Sequence, residues 1–234
     1  MQPGTLIKKI KMKKPTLIYC YDAYCGWCYG FSAVITKIAV HFNNEIDMEV
    51  FSGGMMTGEA AMPIEEMAAF IEGTYKRIEE LTGIKFGEDF LWHIKNPDKS
   101  DWLMNSEKAA IALCIFKDYF PEDALLFATD LQYALNFEGR DLTDDEAYRH
   151  LLEKYKIPEN EFYEKLKSAD YKDKAHYEFA LCRHLQVQSF PQLLLQENES
   201  KFHLISQGYI DYDTVELRIK NVLSEMMARA VANN

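Results

Sequence analysis

The sequence predicts an α/β protein: a central mixed β-sheet flanked by helices, interrupted by an all-helical insertion. Three observations predict it. Residues 15–54 read as strand, helix, strand; residues 59–168 hold apolar residues at helical spacing and no convincing strand; residues 171–226 read as helix, strand, strand, helix. A sheet that alternates with helices needs them to cover its apolar faces. The expected domains are therefore a discontinuous one, 1–58 with 170–234, and an inserted helical one, 59–169. At 234 residues the chain is long enough for two cores of ordinary size.

Each element has its own signal. Thr16-Leu-Ile-Tyr-Cys-Tyr21 is a short β-branched and aromatic run of strand type, and Val34, Ile35, Ile38 and Phe42 follow at helical spacing. Ile46-Asp-Met-Glu-Val-Phe51 alternates as a strand and ends at Gly53-Gly54. In the insertion, Ser106 is placed to cap a helix carrying Ala109, Ala110, Leu113, Cys114 and Phe116, and Pro121 suits the first turn of the next. Thr143-Asp-Asp-Glu146 has the spacing of a capping box, and Pro158 opens a further short helix. Ala175, Phe179, Cys182 and Leu185 then share a helical face; Gln192–Gln196 and Lys201–Ile205 read as strands; Val215, Ile219, Val222 and Met226 mark a last helix. No internal repeat is visible.

Composition excludes several function classes. With 48% apolar and 27% charged residues the chain is globular. Its net charge of −11 would repel a phosphate backbone, which argues against a nucleic-acid partner. Lys8, Lys9, Lys11, Lys13 and Lys14 precede an apolar stretch in the manner of a secretory signal, but Asp22 ends that stretch too soon. No run approaches the roughly 20 apolar residues of a membrane span. The expectation is a soluble cytoplasmic protein.

Of the five cysteines, Cys20, Cys25, Cys28, Cys114 and Cys182, only Cys25 and Cys28 are close in sequence, as Cys-Gly-Trp-Cys. In a cytoplasmic chain that spacing is catalytic or metal-binding rather than structural. Disulfide exchange needs one thiol ionised near neutral pH and a second near enough to release a trapped substrate. With Cys25 as the N-cap of a helix and Cys28 at N3, the Cys25 sulfur accepts from first-turn amides at the positive end of the helix dipole. An unperturbed cysteine is only about 3% thiolate at pH 7, and comparable motifs reach pKa values of about 3.5 to 7.5. Cys25 would attack and Cys28 resolve, with both sulfurs at the exposed tip of the helix. A zinc site would need two more ligands; no second Cys-x-x-Cys or closely spaced histidine pair exists, and Cys182 with His184 is the candidate completion. The histidines show no metal spacing, and no metal is expected.

The segment Tyr21-Asp-Ala-Tyr-Cys-Gly-Trp-Cys-Tyr-Gly-Phe31 resembles the active-site segment of the DsbA-like branch of the thioredoxin superfamily, in particular its cytoplasmic members described as predicted protein-disulfide isomerases. The match in element order covers nearly the whole chain. This resemblance implies a thioredoxin-like fold interrupted by a helical domain. It also implies a cis-proline loop facing the cysteines, for which Phe190-Pro191 is the matching position. A cis bond there would turn the Phe190 backbone toward the cysteines and offer an extended substrate an edge, with Phe190 a local selector. The dipeptide Gly26-Trp27 departs from the proline and histidine of the branch's well-known oxidant, so the direction of electron flow stays open.

Other residues carry two readings each. Asp22 is a candidate proton relay to Cys28, though an aspartate there more often ends a strand and shapes the turn. Trp27 is a substrate contact or a packing residue. Gly30 hints at close approach of a neighbouring element. Met55, Met56, Met62 and Met67 line an adaptable groove or fill ordinary core. Cys20, Cys114 and Cys182 read as core, a regulatory disulfide being the minority reading. The function expected is a thiol-disulfide oxidoreductase or protein-disulfide isomerase acting on protein, peptide or small-molecule disulfides. It needs no cofactor beyond the cysteine pair, which glutathione or a thioredoxin system would recycle. The alternatives are a glutathione-dependent isomerase or transferase of the same branch, and a non-catalytic peptide-binding module.

Overall fold

The computed structural model describes residues 14–232; Lys8, Lys9, Lys11 and Lys13, and the ends of the expected domain ranges, lie outside the described residues. The chain opens with β1 (Thr16–Tyr21), α1 (Gly26–Phe42) and β2 (Asp47–Ser52) and closes with α8 (Ala169–His184), β5 (Gln192–Asn198), β6 (Lys201–Gln207) and α9 (Tyr212–Ala232). These strands form one four-stranded sheet in the order β2-β1-β5-β6. β1 and β2 run parallel, Thr16 opposite Asp47 through Tyr21 opposite Ser52. β5 lies antiparallel to β1, with Cys20 opposite Gln192.

β1 is buried from Leu17 to Tyr21 because it lies between two strands and both of its faces are covered. Its side chains alternate between those faces. Leu17, Tyr19 and Tyr21 join the main apolar cluster with Cys25, Cys28 and Phe31. Ile18 and Cys20 join a smaller cluster with Cys182 and Leu194.

Between the halves lie β3 (Met62–Pro63), α2 (Ile64–Thr82), α3 (Glu88–Lys95), β4 (Leu103–Met104), α4 (Glu107–Tyr119), α5 (Ala124–Asn136), α6 (Arg149–Tyr155) and α7 (Glu159–Leu166). This block is helical with one addition: β3 and β4 pair as Met62 with Met104 and Pro63 with Leu103. Two-residue strands carry no alternation to read; they form because the approaches to α2 and α4 meet, Ile64 N donating to Trp102 O at 2.9 Å. The main apolar cluster runs without a break from Tyr19 and Phe31 into Ile111, Phe127 and Tyr148, so the inserted block shares the core of the sheet.

Two expected caps are not formed. Ser106 precedes α4 but makes no cap bond; its hydroxyl donates instead to Asp22 Oδ2 at 2.8 Å. A buried carboxylate is a stronger acceptor than the helix amides are claimants on that oxygen. The Thr143 hydroxyl is drawn to Asp141 Oδ1 at 2.8 Å, and Asp144 caps the short 3-10 turn Asp145–Tyr148 by accepting from Glu146 N. Gly30 lets α1 approach α2: a Cβ there would stand 2.8 Å from Ile78 Cγ2 and 3.0 Å from Thr82 Cγ2. Among the described residues, no helix is long and apolar enough to cross a membrane.

Candidate active site

The turn after β1 builds the site. Cys25 N donates to Asp22 O at 3.1 Å, which leaves Cys25 extended (φ −83°, ψ 107°) as the N-cap of α1. Cys28 N then donates to Cys25 Sγ at 3.4 Å. One sulfur thus sits over the first-turn amides and the other behind it, both as free thiols.

The pair is not at an exposed tip. Cys25 is 7% exposed and Cys28 fully buried. Cys25 opens onto the floor of a cleft of about 200 Å³ whose walls include Trp27, Met56, Met67, Phe70, Phe86 and Phe190. The recess arises because α2, distant in sequence, leans over the start of α1. Burial pushes the Cys28 thiol well above its usual range, and its pairing with Cys25 adds to the rise while the Asp22 amide opposes it.

The Phe190–Pro191 peptide bond is cis, and the Cys25 thiol donates to Phe190 O at 3.5 Å. The carbonyl before the proline therefore faces the outer sulfur. The Phe190 ring is seated against β2's end, where a Cβ on Gly53 would stand 1.9 Å from Phe190 Cζ. Trp27 is half-buried, its ring centroid 6.1 Å from that of Tyr209, and it too lines the cleft. Met55, Met56 and Met67 of the four flagged methionines line it; Met62 is taken up by the strand pairing. Among the described lining residues there is no carboxylate, ammonium, guanidinium or imidazole.

Asp22 is buried and its carboxylate is engaged by three donors from three segments: Tyr24 N at 3.0 Å, Met55 N at 2.7 Å and the Ser106 hydroxyl at 2.8 Å. Burial raises its pKa and those donors oppose the rise. The carboxylate ties the turn, the loop after β2 and the start of α4 together, and its charge also bears on Cys28.

The remaining cysteines are packed. Cys20 and Cys182 meet in the smaller cluster, where the Cys182 thiol also approaches Ser52 O at 3.6 Å. Cys114 approaches Glu178 Oε1 at 3.6 Å. Cys182 lies across the sheet from Cys25, and among the described residues no group of three or more His, Cys, Asp or Glu is placed to hold a metal ion. Sequence reasoning missed Tyr19, fully buried in the same cluster as Cys28 with an unpartnered hydroxyl. Strand parity, which puts Tyr19 on the same face as Tyr21, was the available signal.

The sheet order, the cis-proline loop beside a Cys-x-x-Cys N-cap and the helical insertion define a DsbA-like thioredoxin fold, shared with solved structures of that class. No family model and no curated protein matches the chain. Among solved structures, one provisionally described as a protein disulfide isomerase from Nitrosomonas europaea is 22% identical with a TM-score of 0.79, over 91% of this chain and 99% of that one. The cytosolic disulfide reductase DsbM from Pseudomonas aeruginosa, solved with GSH, is 24% identical with a TM-score of 0.68, over 89% and 99%. A 2-hydroxychromene-2-carboxylate isomerase is 11% identical with a TM-score of 0.60, over 93% and 98%. These likenesses establish the fold.

Proposed function

We propose that this chain is a thiol-disulfide oxidoreductase, with Cys25 the attacking thiol and Cys28 the resolving one. The observation that carries this reading is the Cys25 sulfur itself: an N-cap acceptor for Cys28 N, at the floor of an open cleft, against the carbonyl before a cis-proline. Cys25 attacks a substrate disulfide, one substrate sulfur leaves as a thiol, and the other is held in a mixed disulfide. Cys28 then attacks Cys25 Sγ, the Cys25–Cys28 bond forms, and the substrate departs reduced. The reverse sequence oxidises a dithiol, and alternation of the two serves isomerisation.

The cleft favours protein or peptide disulfides flanked by an apolar residue. Its described walls offer methionine and aromatic surface and no cation for the two carboxylates of each glutathione unit. Burying one aliphatic or aromatic side chain there contributes about 1.5–3 kcal/mol, and an extended segment can lie beside the Phe190 backbone. Residues 59–169, as the inserted domain, would supply the α2 wall of that cleft to the thioredoxin-like part formed by 1–58 and 170–234. A cytoplasmic setting with recycling by glutathione or a thioredoxin system fits a pair that works as dithiol and disulfide in turn.

Cys28→Ser is expected to accumulate mixed disulfide on Cys25, seen by intact mass, and Cys25→Ser to abolish exchange. Equal activity of the two variants overturns the assigned roles. The isomerase fold relative motivates one competing reading, a glutathione-dependent isomerase; turnover of an aromatic isomerisation substrate that is indifferent to Cys28→Ser would select it. Peptide binding without insulin reduction, unchanged in the double cysteine variant, would select a non-catalytic module.

A further inference from the structure

Tyr19 is fully buried in the middle of β1. Its ring is fixed between Tyr21 and Phe31, at centroid distances of 5.6 and 6.1 Å. Its hydroxyl completes no hydrogen bond with any described residue; Cys28, buried in the same cluster, is the titratable side chain that bears on it most strongly. A buried hydroxyl without a partner is costly to keep unless some state of the protein uses it.

The resolving step creates the need. Cys28 must carry negative charge to attack, yet it has no exposure to solvent. The backbone of Asp22 eases that charge somewhat, but the Asp22 carboxylate is already occupied by Tyr24, Met55 and Ser106. We propose that Tyr19 is a positioning residue for the resolving thiol, its hydroxyl donating a hydrogen bond to the Cys28 sulfur as that sulfur becomes an anion. This rests on the exchange reading of Cys25 and Cys28 and deepens it.

The step balances without a further reactant. Cys28 sulfur forms a bond to Cys25 sulfur, the bond from Cys25 to substrate sulfur breaks, and its electron pair leaves with the substrate. The Cys28 proton ends on the released thiol, and Tyr19 keeps its own. Burial raises the Tyr19 hydroxyl well above the usual tyrosine range, so it stays protonated and serves as donor rather than base. The titratable groups that bear on the Tyr19–Cys28 pair are Cys25, Tyr21 and Asp22.

Ellman's reagent separates the two steps: attack by Cys25 releases one thionitrobenzoate and resolution by Cys28 releases a second. Tyr19→Phe keeps the ring and removes the hydroxyl. It is expected to leave the first release unchanged, to slow the second roughly tenfold or more, as loss of one charge-assisted hydrogen bond does, and to move the pH midpoint of the second phase upward. An unchanged second phase, in both rate and pH midpoint, with a normal first phase overturns the role of Tyr19 while leaving the exchange reading intact. A wild-type chain that releases a single equivalent overturns the exchange reading and the Tyr19 role with it.

Discussion

Ser106 donates its hydroxyl to Asp22 Oδ2 at 2.8 Å across 84 residues of sequence. The same oxygen accepts from Met55 N at 2.7 Å, so a serine of the inserted block and an amide from the loop after β2 hold one carboxylate beside the turn that positions Cys25. Ser106→Ala removes one of three donors from a buried carboxylate. Urea unfolding is expected to show a loss of about 1–3 kcal/mol, with a slower attack by Cys25 because the turn loses a tether.

Asp22 also gives a pH signature. Its native pKa is raised by burial, so the folded state binds its proton more tightly than the unfolded chain does. Stability therefore falls as pH rises from the unfolded value of about 3.9 through the raised native one, and is level above it. Asp22→Asn has no such slope. The stability of Asp22→Asn minus that of the wild type should increase with pH across that window, measured by denaturant titration; a difference that is flat there removes the assignment.

Glu197 behaves with the opposite sign. His203, Lys201 and Arg229 surround it and hold its pKa down at about 2, the His203 hydrogen bond contributing most. The stability it contributes is present above the unfolded value of about 4.3 and lost as pH falls toward 2. The group is near the surface, so Glu197→Gln is expected to flatten the acid limb by about 1 kcal/mol or less, read from thermal unfolding between those pH values.

Gly53→Ala tests the seat of Phe190. The added methyl would overlap Phe190 Cζ and Cε1, at 1.9 and 2.1 Å, so the ring must leave and carry the Phe190 carbonyl away from Cys25. The global fold should survive, whereas exchange with a peptide disulfide should slow about tenfold, a barrier change of about 1.4 kcal/mol. Near-wild-type exchange would show that the ring's seat does not govern the site.

Met67→Lys tests the apolar wall. A cation on α2 is expected to lower kcat/KM for a disulfide flanked by leucine or phenylalanine and to raise it for glutathione disulfide, whose carboxylates gain a partner. Parallel changes for the two substrates would exclude the cleft as the determinant of substrate choice.

The strands around the sheet, α1 with Cys25 as its cap, and the proline before β5 were legible because each follows from local chemistry: a β-branched run, a sulfur three residues from an amide, an imide before an apolar strand. The misreadings share a different cause. Ser106 and Thr143 both looked like caps, but the acceptor each hydroxyl takes, Asp22 and Asp141, wins on charge, and Asp22 lies in another part of the chain. The recess around Cys25 comes from α2 packing at Gly30, and the idle Tyr19 hydroxyl appears only once every buried polar atom is assigned a partner. Such features belong to tertiary packing, which periodicity does not encode.

The alternation of β1 has a consequence for a protein that carries five thiols. Cys20, five residues before Cys25, points with Cys182 to the opposite side of the sheet from Cys25 and Cys28. A layer of backbone hydrogen bonds stands between the two groups like a partition wall. Scrambling of a working disulfide onto Cys20 or Cys182 would require β1 to be pulled out of register, so the strand that supports the reactive turn also protects it from its own neighbours.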